Sequence, residues 1–182
     1  MSTLFVNNLN TASGSTITVP TGKQLIVTDE GGVRVPGNVL QTVFAEHESA
    51  VNVNSAGYIN SGLTATITPK STSSKILINV SMSVSVRGLA GHDAGLGFRI
   101  LRGGSAIWTS TTSYRNYIYV GTTSSSSDFR GTDTIIRLDS PSSTSALTYS
   151  IQGVGYNAGS NSNIFMQTDG NHSSIILMEI AQ

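Results

Sequence analysis

The chain contains no cysteine, which excludes disulfides, thiolate metal sites and thiol nucleophiles. Charge is also scarce: ten Lys and Arg stand against ten Asp and Glu, 11% of 182 residues, with no net charge. A nucleic-acid partner requires a basic footprint and an anionic membrane surface attracts one, so neither partner is expected. Helix material is thin, since Glu and Lys are rare and no apolar window at helical spacing runs beyond about two turns. The longest apolar run, Ile175-Ile-Leu-Met178, is too short to cross a bilayer. The first ten residues, MSTLFVNNLN, lack the basic and apolar regions of a signal peptide, so none is expected.

What is abundant is small and polar: Ser and Thr together make up about a quarter of the chain, and there are 19 glycines. That supply suits strands and turns. The stretch KILINVSMSVSVR, residues 75–87, has an apolar residue at every even position from Ile76 to Val86, with Asn79, Ser81, Ser83 and Ser85 between them. Side chains alternate faces along a strand, so one face is aliphatic and the other small and polar. At roughly 3.3 Å per residue this strand runs about 40 Å, twice the usual length.

The same period-2 pattern predicts strands at 38–46, 62–68, 75–87 and 96–102, one within 105–121, and others at 131–138, 146–156 and 173–181. Gly103-Gly104 marks a two-residue hairpin. Eight strands over this length predict an all-β protein, an antiparallel β-sandwich of jelly-roll type.

Residues 1–37 differ in texture. Short β-like pieces are separated by turn chemistry such as Pro20-Thr-Gly22, and too few apolar side chains are present to close a core. This segment reads as an anchoring arm, with Leu4, Phe5, Val6, Ile17 and Val19 as its contacts, joined at Pro36-Gly37 to a head of residues 38–182. Strictly antiparallel strands would put the 69–74, 103–104 and 139–145 links at the arm's end of the head and the other links, read as long, at the free end. Long loops on a rigid sandwich carry recognition. The prediction requires the 105–121 region to act as one strand.

The last strand is apolar on both sides, with Ile176, Met178 and Ile180 on one and Ile175 and Leu177 on the other. Both sides of such a strand must be covered. Ile175 and Leu177 are read as the subunit contact.

Catalytic motifs are lacking: there is no Gly-x-Ser-x-Gly elbow, the acids are scattered, and no His-x-His or His-Glu-x-x-His pairing exists. The chain is therefore read as a non-enzyme without cofactor or metal. His47, His92 and His172 fall in loops assigned to the free end. Trp108 and Tyr119 are read as packing residues. Tyr114, Arg115, Asp128, Phe129, Tyr156 and Asn157, with the three histidines, are the candidate ligand contacts, since Tyr offers a ring for stacking and Asn and Asp offer hydroxyl partners.

The phrases TITVPTGKQLIVTDEGGVRVPGNVLQTVF, GLTATITPKSTSSKILINVS, FRILRGG with SAIW, and the closing IILMEIA resemble a module of tail-fibre and other virion-appendage proteins of tailed bacteriophages, especially marine ones. The resemblance spans residues 14 to 181. It implies a homotrimer whose N-terminal arm joins other virion proteins and whose head is exposed to a host surface glycan or protein. A capsid decoration or head-fibre protein is the alternative, and a glycan depolymerase is a third.

Overall fold

A computed structural model describes residues 19–24, 26–28, 33–54, 56–110, 115–122, 125–159 and 161–182. The described residues form eleven strands: β1 (Val39–His47), β2 (Val51–Asn52), β3 (Ile59–Ile67), β4 (Lys75–Leu89), β5 (Asp93–Arg102), β6 (Ser105–Thr109), β7 (Asn116–Tyr119), β8 (Ser126–Asp139), β9 (Leu147–Tyr156), β10 (Ser162–Met166) and β11 (Ser173–Ile180). No helix occurs among them.

The strands make two antiparallel sheets. In sheet A the long β4 pairs with β8 along one edge. On its other edge it pairs with β11 at one end and β10 at the other, with β1 beyond β11 and β2 beyond β10. Sheet B runs β3-β9-β5, and β6 and β7 follow one another along the far edge of β5. The pairs nest: β1 with β11, β3 with β9, β4 with β8, and β5 with β6 and β7. This is a β-sandwich with the nested hairpin order of a jelly roll. The 105–121 region is two strands, but both run antiparallel to β5, so chain direction is kept and the assignment of loops to ends holds.

Alternation explains the sandwich. From Ile76 to Val86 the even-numbered side chains of β4 are at most 2% exposed. Opposite them lie Leu96, Phe98 and Ile100 of β5, Tyr149 and Ile151 of β9, and Leu63 and Ile67 of β3. Each such aliphatic side chain contributes about 1.5–3 kcal/mol on burial. Ile175 and Leu177 of β11 point into this core and are 0% exposed. The reading of these two as a subunit contact is therefore corrected: they pack against the chain's own second sheet, and the outward residues of β11 are Ile176, Met178 and Ile180.

One seam of the sandwich is closed by charge. The inward-facing charges of β8 meet sheet B: Asp133 takes a two-pronged ion pair from Arg115 (2.8 and 2.7 Å), and Asp139 takes one from Arg102 (2.9 and 2.7 Å). The Tyr149 hydroxyl, reaching out of the core, donates to Asp139 at 2.7 Å. Arg137 lies 4.5 Å above the Trp108 ring. Trp108 thus packs at the seam, half-buried against the core.

The arm joins at the base, where Gly37 N–H donates to the Ala181 carbonyl and Arg34 donates to the Lys70 carbonyl. Of the expected arm contacts, Leu4, Phe5, Val6 and Ile17 lie outside the described residues, and Val19 is 45% exposed. The expected long loops at the free end are mostly short. Strands extend into them, leaving 90–92 between β4 and β5 and 157–161 between β9 and β10.

Candidate recognition surface at the free end

The outer face of sheet B carries a tyrosine cluster at the free end. Core packing of Ala94, Leu96, Phe98 and Ile100 turns Asp93, Gly95 and Gly97 outward. Register then places Tyr117 of β7 and Tyr156 of β9 on either side of Gly95, and Tyr119 beside Asp93. Gly95 is buried although it faces outward, as expected where cross-strand aromatics cover a glycine. Tyr117 is 43% exposed and Tyr119 65%.

Asp93 is the hub. It accepts from the Tyr117 hydroxyl at 2.8 Å and from the Asn157 amide. Asn157 adopts a left-handed backbone (φ 48°) just past the end of β9, which turns its side chain back toward the sheet. Hydrogen bonding to Asp93, with smaller effects of burial and of the Asp93 charge, raises the Tyr117 pKa. The phenol therefore stays protonated and remains a donor. Beside the hub, His92, Asn157, Ala158, Gly159 and Asn161 line a shallow depression. Farther down the face Arg99 stacks on Tyr58 at 3.8 Å and donates to Gln152, which donates to Asn60. Aromatic rings interleaved with amides and a fixed carboxylate can stack on one face of a ligand and hydrogen-bond its hydroxyls.

The sequence-predicted contacts divide among four places. Tyr156, Asn157 and His92 belong to this surface. Arg115 sits in the seam on Asp133, and that ion pair raises its pKa, the hydrogen bond outweighing burial. Phe129 lies on the same edge strand, 39% exposed, against Gly131. Asp128 pairs with Arg87 on the outer face of sheet A at 3.4 Å. There a polar groove between β8 and β10 is floored by Ser85 and flanked by Arg130 and Asp169, which form an ion pair. Tyr114 lies outside the described residues.

The histidines do not converge. His47 and His172 share a depression with Glu46, Glu48 and Ser49 partway along the strands, away from His92. His47 has a packing role. Gly62 takes positive φ (81°) at the bulge in β3, and a Cβ there would meet the imidazole at 2.3 Å, so the ring fills the space that glycine leaves. No group of three metal-ligating side chains occurs among the described residues.

Sequence reading left Asp93 out of the candidate contacts and placed Tyr119 inward. The signal existed: Tyr117 and Tyr119 share one face of their strand, and glycines at 95 and 97 mark an opposing face without side chains.

No protein-family model matches the chain, and no curated protein is similar to it in sequence. Among solved structures it is similar to dimeric latent PorU from Porphyromonas gingivalis, at 11% identity and a TM-score of 0.37, over 84% of this chain and 14% of that one. It is also similar to infectious bursal disease virus, Gt strain, at 10% identity and a TM-score of 0.37, over 78% of this chain and 38% of that one. The chain thus spans well under half of either structure, and likeness at this level says nothing of what it does.

Proposed function

We propose that the chain is a structural protein of a tailed-phage virion: a short, trimeric fibre- or spike-like appendage, held by its N-terminal arm, that offers its free end to the host cell surface. One observation carries this reading. The arm and the end of the last strand meet at the base, through Gly37 and Ala181, while the tyrosine, amide and carboxylate cluster around Asp93 lies at the opposite end of the strands. A domain tethered at one end and chemically adhesive at the other suits attachment. The sequence resemblance to phage appendages supports the same placement, and the trimer follows from that resemblance alone.

The shortness of the links at 90–92 and 157–161 favours a second reading, a capsid decoration or head-fibre protein with no specific ligand. Gold-labelled antibody on purified particles separates the two: label on the tail with adsorption blocked by the purified protein supports attachment, whereas label on the shell supports decoration. Particles that take no label remove both. We also propose that the protein is not an enzyme, on the ground that its sequence offers no catalytic motif. A surface polysaccharide shortened on incubation with the pure protein would refute that.

A further inference from the structure

The base half of sheet A has a second apolar surface, turned away from the core. Register across β1, β11, β4 and β8 aligns Phe44, Ile176, Asn79 and Ile136 in one row and Thr42, Met178, Leu77 and Leu138 in the next, with Val39 beside Ile180 below. Phe44 is 59% exposed, Leu138 56%, Ile136 54% and Val39 52%. Leu77, Ile176, Met178 and Ile180 are half-buried on the same face. Together they present roughly 500 Å² of nearly continuous apolar surface, at the upper range for the largest patch on a monomer. The described part of the arm leaves this face bare: Ile26 is 76% exposed and Val27, Val33 and Val35 between 43% and 49%.

We infer that this face is the contact with a second copy of the chain, packed sheet against sheet. Two such faces laid together remove about 1,000 Å², where specific interfaces begin. The chemistry limits the contact to the base half. Toward the free end the same face becomes the serine-floored groove with Arg87, Asp128, Arg130 and Asp169, which stays wet.

Strand addition to the bare edge of β8 is disfavoured. The carbonyls of Thr134 and Ile136, two residues apart and so on one side of the strand, already accept from the Arg115 and Arg137 guanidinium groups. An added strand would need those acceptors. The edge is capped while the face beside it is not.

A face laid on its own copy closes a two-fold pair, a contact separate from the trimer of the virion reading, and particle labelling can fail while this association stands. Its test is the mass of the full chain by light scattering or sedimentation, up to about 100 μM. Two copies are expected, with the double substitution Ile136→Glu and Leu138→Glu falling to one copy at unchanged circular dichroism. Tyr119→Glu, on the other sheet, should leave assembly intact. A full chain that stays single at about 100 μM overturns the inference, as does a double variant that assembles like the parent; the former is also the result if the chain's own first residues cover the face. Ile136→Cys gives an independent reading as the chain's sole thiol. Maleimide should label it quickly in dilute solution and at least several-fold more slowly at about 100 μM, and equal rates overturn the proposal.

Discussion

Two outward faces of this sandwich come from the same kind of strand and differ in chemistry. At the base of sheet A the exposed apolar side chains are Val39, Phe44, Ile136 and Leu138, with Thr42 and Asn79 between them. At the free end of sheet B they are Tyr117, Tyr119 and Tyr156 around a carboxylate and an amide. The first face gains only by excluding water, which suits a large complementary partner. The second keeps donors and acceptors in fixed positions, which suits a partner rich in hydroxyls or amides. Exposure alone does not separate them; what stands between the rings and aliphatic groups does.

The largest effect comes from crossing the sheet. Ile135 and Ile136 are neighbours on β8, 1% and 54% exposed. Ile135→Ala should cost about 2–5 kcal/mol in denaturant unfolding, with the cavity included. Ile136→Ala should cost under about 0.5 kcal/mol in the dissociated chain. Equal costs would mean that the two sides of sheet A are not distinct.

Next is acid. Glu179 is 0% exposed and accepts from the Gln41 amide (2.6 Å) and the Lys70 N–H (2.7 Å), tying three segments together at the base. Burial by itself would raise its pKa. The neighbouring Ser74 hydroxyl, the Gln41 amide and the Lys70 and Ser71 backbone outweigh burial and hold the carboxyl below its ordinary value of 4.5. A lowered folded-state pKa gives stability that is complete above the unfolded pKa and lost as pH falls through the folded one. Stability should therefore drop from about pH 5 downward, and Glu179→Gln should flatten that drop while costing about 1–3 kcal/mol at neutral pH. Hydrogen exchange should show the loss at the base first. Uniform loss over both ends would blunt the contrast.

Smaller effects sharpen the free-end face. Tyr119→Ala should weaken host adsorption by the purified protein several-fold while leaving its mass and melting temperature unchanged. Unaltered adsorption would strip the tyrosine face of its role. Gln167→Met should be worth a gain of about 1 kcal/mol, because the Gln167 amide is fully buried with neither polar atom partnered. A loss instead would mean that the amide holds ordered water.

How much of this was legible in the sequence follows from the periods. Seven of the strands announce themselves by alternation, the eighth expected strand, within 105–121, is divided into β6 and β7, and the nesting follows the order of a jelly roll. β2 and β10 were hidden because pieces of two and five residues, flanked by Asn, Ser and Gly, carry almost no period. The choice of face on β11 failed for a different reason. Ile175-Ile-Leu-Met178 is equally apolar on both sides, so which side meets the core is set by pairing with β1 and β4, not by the strand itself. Tyr119 was misplaced likewise, since a tyrosine suits either side of a sheet and only the register with Asp93 turns it outward.

The pairing of the first strand of the head with its last has a consequence for synthesis. β1 pairs with β11 from Val39 opposite Ile180 to His47 opposite Ser173, so the sandwich cannot close until residue 180 has left the ribosome. Nascent β4 must wait with the edge meant for β10 and β11 unfilled, and contacts this distant in sequence form slowly. Messages cut short before codon 173 would yield chains lacking Ile175 and Leu177, unable to seal their interior and open to chaperones and proteases.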